Sequence, residues 1–226
     1  MQRGARLVVL GKQGAGKGAQ CVRVSRRYVV PHIATGDMFR AAVKAETPLG
    51  AEVTRYMNAG ELVPDELVLR MLAERLETDD TKNRGFVLDG FPRTVDQSVQ
   101  LDEYLEPLSL DCVVDIEVPT SIALRRIAGR RTCADCGMIF SVDAPPKVDW
   151  ICDACGGEVR QRDDDVESAI ERRLDLYEKQ TAPLIDRYKE QGKLVSVDGE
   201  GSIDAVSGLI SEAIDAVLEK QLGNES

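Results

Sequence analysis

The chain has 226 residues, about one and a half times the roughly 150 of a typical domain, so it holds one full core with insertions or two small domains. With 43% hydrophobic and 30% charged residues it is neither disordered, collagenous nor disulfide-stapled, and with only 4% aromatic residues its core has to be aliphatic. Lys and Arg number 29 against 39 Asp and Glu, and the net charge of -10 argues against duplex nucleic acid as a partner and confines any phosphate site to a local patch.

Leu7-Val8-Val9-Leu10 is a short apolar run between charged residues and glycines, which predicts a buried strand. It is too short for a signal-peptide core, and no apolar run approaches the roughly 20 residues of a membrane span, so a soluble cytoplasmic protein is expected. A helix is predicted over residues 16–27. Residues 35–63 contain no strand-like run, only helix-compatible stretches broken by Pro48, Gly50 and Gly60, and read as a small helical insertion. Further strands are predicted at 86–88, 113–118 and 194–197, the first two followed by helix-compatible stretches and the last leading to an amphipathic helix over 202–222. Strands alternating with helices predict an α/β fold, a parallel sheet covered on both faces. Residues 132–165 break the pattern with four cysteines, the Pro145-Pro146 pair and an acidic run, Asp163-Asp164-Asp165, and read as an irregular, metal-pinned insertion rather than sheet core.

Gly11-Lys12-Gln13-Gly14-Ala15-Gly16-Lys17 fits the first seven positions of the phosphate-loop pattern, placed between a predicted strand and a predicted helix. Its glycines let backbone N–H groups converge on phosphate oxygens at a helix N-terminus, and Lys17 can reach the outer phosphates. Gly18 replaces the usual Ser or Thr, so the hydroxyl that would ligate magnesium is missing. Asp89, at the end of the 86–88 strand, is the natural substitute, holding magnesium through water from the crevice where such sheets bind ligands. Gly90-Phe91-Pro92-Arg93-Thr94 then presents Arg93 into the same crevice. Gln97, four residues on, offers one amide donor and one acceptor; the bland alternative is a helix-surface glutamine. The sole histidine, His32, reads as a structural residue in a loop.

Cys133-Ala-Asp-Cys136-Gly137 and Cys152-Asp-Ala-Cys155-Gly156 are two C-x2-C pairs, fifteen residues apart, each followed by glycine. Four thiolates make a closed tetrahedral zinc site with no open position, so the metal is expected to be structural. Two disulfides are the alternative, and a reducing compartment disfavours them.

Several motifs along nearly the whole chain now resemble the adenylate kinase family, in its long form with a zinc-bearing lid. They are residues 11–20, Thr35-Gly36-Asp37-Met38-Phe39-Arg40, Gly60-Glu61-Leu62-Val63-Pro64-Asp65-Glu66, residues 89–97, Arg126-Ile127-Ala128-Gly129-Arg130-Arg131, and residues 162–173. The resemblance implies a P-loop core made of residues 1–34, 64–128 and 166–226, an AMP-binding insertion at 35–63, and a zinc-binding lid at 129–165. It implies magnesium-dependent transfer of the ATP γ-phosphoryl to AMP, giving two ADP, by a monomer. Lys17, Arg93, Arg130, Arg162 and Arg173 would surround the phosphoryl groups. ATP would contact Gly14, Ala15, Gly16, Lys17, Gly18, Ala19, Arg126, Arg130, Ile139, Phe140 and Gly201. AMP would contact Thr35, Arg40, Glu61, Leu62, Val63, Gly90, Phe91, Pro92, Arg93, Gln97, Arg162 and Arg173.

Phosphoryl transfer asks for such an arginine set independently, since it needs positioning and positive charge far more than covalent help. No general base stands out, and an acceptor that is already a phosphate anion needs none. Arg125, Arg131 and Arg172 read as solvated surface residues. Two positions depart from the family pattern: Gln13 stands where proline is usual, which is expected to loosen the loop, and Ala19 stands where threonine is usual. One lost hydrogen bond to a charged group weakens ATP binding by about 1.5–3 kcal/mol at most. Two alternatives stay open: a kinase for UMP, CMP or GMP, and a non-catalytic zinc-ribbon sensor.

Overall fold

The apolar run near the N-terminus forms strand β1 (Arg6–Leu10), buried along its whole length. It belongs to a computed structural model that describes residues 4–162 and 164–224, apart from the side chains of Leu222 and Asn224. Asp163, first of the acidic run, lies outside the described residues. Helix α1 (Lys17–Tyr28) follows the glycine-rich loop, then strand β2 (His32–Ala34). The first insertion is a helix pair, α2 (Thr35–Lys44) and α3 (Pro48–Ala59). The Thr47 hydroxyl caps α3 by accepting from Gly50 N, with Pro48 in the first turn where its missing N–H costs nothing. Helices α4 (Asp65–Leu76) and α5 (Asp79–Arg84) lead to strand β3 (Phe86–Asp89), helix α6 (Val95–Leu105) and strand β4 (Cys112–Glu117). Helix α7 (Thr120–Gly129) ends at the second insertion, which contains strands β5 (Arg130–Cys133), β6 (Ile139–Ser141) and β7 (Val159–Arg160). Helices α8 (Glu167–Leu176) and α9 (Pro183–Glu190) flank a π-helical segment, and strand β8 (Leu194–Asp198) and helix α10 (Ile203–Asn224) close the chain.

The main sheet is parallel throughout, in the order β2-β3-β1-β4-β8, so the expected α/β architecture holds. Side chains alternate between its faces. Val8, Leu10, Phe86, Leu88 and Val113 pack on one side with Leu67, Val68, Leu72, Leu101, Leu184 and Tyr188. Leu7, Val9, Val87, Cys112, Val114 and Ile116 pack on the other with Cys21, Val24, Val206, Ile210 and Ile214 of α1 and α10. Truncating any of the buried leucines to alanine would cost about 2–5 kcal/mol. The chain turns to opposite sides of β1 on leaving it and on reaching β4, and the crevice beyond the strands' C-terminal ends opens there.

Two expectations need correction. His32 does not sit in a loop: it opens β2, an edge strand of three residues, too short to show a period in the sequence. Residues 132–165 are not irregular throughout, because β5, β6 and β7 form an antiparallel sheet of order β6-β5-β7 whose strands are two to four residues long. Among the described residues its core is Cys133, Phe140, Cys152 and Val159, with Trp150 against them. So small an apolar cluster cannot hold a fold by itself.

Candidate active site and lid metal centre

The glycine-rich loop carries the chain from β1 into α1. Gly16 caps the helix at φ 99°, in the left-handed region, and an added Cβ there would meet nothing within 4 Å, so the loop's amides face open space at the helix N-terminus. Lys17 Nζ donates to the carbonyls of Gly11 (2.7 Å) and Lys12 (2.9 Å), folded back along the loop. Burial lowers its pKa, against the pull of Asp89. At Gly18 an ideal Cβ would lie 3.4 Å from Asp89 Oδ2 and 3.2 Å from Ile139 Cδ1, so the carboxylate occupies the neighbourhood that a hydroxyl at position 18 would fill. Burial opposes ionisation of Asp89, but His32, Lys17 and Arg93 outweigh it and hold the carboxyl below its ordinary range.

Arginines converge on this point from separate elements: Arg40 of α2, Arg93 of the turn after β3, Arg130 of β5, Arg162 beyond β7 and Arg173 of α8. Burial, with Arg40 and Arg130 close by, draws Arg162 down to about 10. Burial, with Arg173 close by, lowers Arg93 as well. Burial beside like charges, as at Arg93 and Arg162, marks a concentration of positive charge short of anions. Two carboxylates offset part of it. Asp165, its side chain fully buried, takes both ends of the Arg130 guanidinium, with Nε donating to Oδ2 at 2.8 Å. Asp164 accepts from Arg173 Nη2 at 2.8 Å and lies 3.8 Å from Arg40 Nη1.

The other predicted residues gather around the same cleft, a cavity of about 500 Å³. Gly14, Ala15, Gly18, Ala19, Arg126, Ile139, Phe140 and Gly201 line its phosphate-loop side, and Thr35, Glu61, Leu62, Val63, Gly90, Pro92 and Gln97 line its other side. Arg126 Nη2 donates to Gly199 O at 2.9 Å, and Thr35 Oγ1 to Gly90 O at 3.0 Å. Gln97 is not a surface residue: its Oε1 accepts from Arg93 N at 2.7 Å and its Nε2 donates to Asp65 Oδ1 at 2.6 Å. One lone pair and one N–H of that amide stay free for a base. Phe91 is the exception among the predicted residues, since its side chain turns away from the cleft and lies 1% exposed in the core beside β3. Arg125 and Arg172 are exposed as expected; Arg172 pairs with Glu61 at 2.7 Å.

Three contributors escaped the sequence reading. Asp164 and Asp165 belong to a run that looks like solvated acid, and only the fold turns them onto arginines. Gln13, expected to loosen the loop, is engaged instead: with its amide oxygen towards the guanidiniums it accepts from Arg130 Nη2 at 3.0 Å and Arg173 Nη1 at 3.1 Å.

The lid roofs the cleft through Ile139 and Phe140 and touches the helical insertion, where Lys44 Nζ donates to Ala134 O at 3.0 Å and stands 3.5 Å from Asp135. The four lid cysteine sulfurs lie within 4.8 Å of one another. Across the two pairs, Cys133 and Cys155 are 3.5 Å apart and Cys136 and Cys152 are 3.6 Å apart. Those separations are far beyond an S–S bond of about 2.05 Å and close to the roughly 3.8 Å edge of a tetrahedron with zinc–sulfur bonds of about 2.3 Å. Gly137 and Gly156 both sit at φ 75°, returning each knuckle so that their N–H groups reach the carbonyls of Cys133 and Cys152. The donor set therefore fits zinc.

A family profile described as adenylate kinase matches residues 9–193. The chain is similar to the adenylate kinase of Thermodesulfovibrio yellowstonii, 51% identical over 219 residues that cover 96% of this chain and all of that protein. Similarity to the adenylate kinase of Syntrophobacter fumaroxidans is 51% over 208 residues, covering 91% of this chain and 97% of the relative. For the adenylate kinase of Carboxydothermus hydrogenoformans it is 48% over 212 residues, covering 92% and 99%.

Proposed function

The chain belongs to the adenylate kinase family, and on that premise we propose how its own residues move a phosphoryl group between ATP and AMP. As a nucleoside monophosphate kinase it catalyses the reversible conversion of ATP and AMP to two ADP. An oxygen of the AMP phosphate bonds to the γ-phosphorus while the bond to the β–γ bridging oxygen breaks, and no proton has to move.

Our assignment of roles follows the cleft. Backbone N–H groups of residues 14–19 and Lys17 hold the donor phosphates, with Arg126 and Gly201 beside the donor and Ile139 and Phe140 above it. Thr35, Arg40, residues 61–63, Gly90, Pro92 and Gln97 hold AMP, the amide of Gln97 reading adenine. Arg93, Arg130, Arg162 and Arg173 bear on the transferring group, where planar guanidiniums match its equatorial oxygens. Lys17 exchanges two carbonyls for a phosphate, and Asp165 yields Arg130 to the same anion. Magnesium, held through water by Asp89, would offset phosphate charge when bound. Lid closure keeps water from the γ-phosphorus. With Ala19 offering no hydroxyl, the donor rests on amides and cations alone.

The observation that carries this reading is the meeting of five arginines and Lys17 in one cleft with less acid than they need. We further propose zinc as the resident of the four lid thiolates, fixing a lid that spans residues 129–165. A cleft complete within one chain supports a monomer. Among the described residues no helix is long and apolar enough to cross a membrane, and we propose the cytoplasm as the site of action. The test is ADP formation from magnesium-ATP with AMP, run beside CMP, UMP and GMP. Turnover with AMP is expected to exceed the others by at least 100-fold, a preference of about 2.7 kcal/mol. Equal or better turnover with another acceptor would refute the part given to Gln97.

A further inference from the structure

Beneath the nucleotide cleft, three elements bring together side chains that the reaction does not require as a set. Cys21 comes from α1, His32 from the start of β2 and Asp89 from the end of β3. In the parallel pairing of β2 with β3, His32 stands opposite Val87, which makes Asp89 its diagonal neighbour. One sulfur, one ring nitrogen and one carboxylate oxygen lie within 4.8 Å of one another. His32 Nε2 is buried without a hydrogen-bond partner, 3.6 Å from Asp89 Oδ2. That distance is too long for a good hydrogen bond and near the roughly 3.3 Å between nitrogen and oxygen ligands of a tetrahedral zinc ion.

We propose that Cys21, His32 and Asp89 form a second divalent-cation site, separate from the lid and selective for soft ions such as zinc or cadmium. Sulfur and imidazole donors favour such ions over magnesium, which prefers oxygen and keeps its waters. On binding, Cys21 releases its thiol proton to solvent, and the thiolate and carboxylate together balance the two positive charges. Of the three residues only Asp89 lines the cleft, so the ion enters on that side and its fourth position faces the nucleotides. Occupancy would engage the carboxylate proposed above to serve magnesium and place an ion beside Lys17. The inhibition rests on that role of Asp89, whereas the binding does not.

The experiment uses the full chain with its lid filled by one equivalent of cadmium, to which a second equivalent is added. Thiolate-to-cadmium absorbance is expected to rise by about a quarter of the first increment, because one thiolate joins where four did before. Turnover of magnesium-ATP with AMP is expected to fall at least tenfold and to recover on dilution. Cys21→Ala, Cys21→Ser and His32→Gln should take up the first equivalent as the parent does, and the two Cys21 variants should keep parental turnover, which also reports that they fold. They should show neither the second increment nor the inhibition. A wild-type chain that takes no second equivalent, or variants that take it equally well, would overturn the site. A second ion that binds through Cys21 yet leaves turnover intact would support the site and overturn the part given to Asp89.

Discussion

Replacing Asp165 with asparagine tests whether the arginine cluster is held together by carboxylates until nucleotide arrives. The Asp165 side chain is fully buried, binds Arg130 at both oxygens and lies 3.8 Å from Arg173 Nη1. Removing one partner of a buried pair costs about 3–5 kcal/mol. Asparagine keeps an acceptor and Arg130 is 16% exposed, so the lower end, about 3 kcal/mol, is expected. For a chain of this size that corresponds to a fall in Tm of about 6–12 °C. If phosphates take over Arg130, the loss should shrink to half or less when parent and variant are both melted in saturating ADP. The thermodynamic cycle then requires ADP to bind the variant about tenfold more tightly for every 1.4 kcal/mol that disappears. Thermal melts with and without ADP, with calorimetric titration of ADP, read both sides of the cycle. Asp143→Asn serves as the control, since that side chain is 70% exposed and pairs only loosely with Arg125. An undiminished loss in ADP would refute the idea that Asp165 gives way to phosphate, and a loss below about 1 kcal/mol without ligand would show that it does not hold the cluster.

Cys136→Ser, or chelation of the metal, should unfold the lid locally and lower turnover at least 100-fold; hydrogen exchange should accelerate across residues 130–162 while β1, β3 and β4 keep their protection, and uniform acceleration would contradict a self-standing core. Burial, aided by Glu117, pushes Asp115 up to about 6, above its unfolded value. The folded state therefore binds the extra proton between about pH 4 and pH 6, and stability falls as pH rises through that window. Asp115→Asn is expected to raise Tm at pH 7.5, with an upper limit of about 3 kcal/mol, and the gain should vanish by pH 4; a gain independent of pH would point to packing instead.

What could be read from the sequence follows from how local each signal is. The phosphate loop and the cysteine knuckles are contiguous, with glycines at fixed offsets, and both took the conformations their spacing implied. Strands buried on both faces announced themselves as continuous apolar runs, whereas β2 and the lid strands are too short to carry a pattern. The side chain of Phe91 could not be placed from the sequence, because a motif names positions, not the direction of a side chain, and its neighbours Gly90 and Pro92 do reach the cleft. The pairing of Asp165 with Arg130 spans 35 residues, and Gln13 meets Arg173 from the other end of the chain. No spacing rule in the sequence connects such residues; the sheet order does.

The contact between Lys44 and the lid joins the two insertions to each other rather than to the core. If the lid and the helical insertion each close over a nucleotide, closure of one would lower the free energy of closure of the other, and by reciprocity each substrate would strengthen the other's binding to the same degree. Both side chains of the Lys44–Asp135 pair are about two-thirds exposed, at 66% and 64%, so solvent and salt weaken the attraction. A clasp of that strength would favour a fully loaded enzyme over a half-loaded one and would still let go when two ADP molecules must leave.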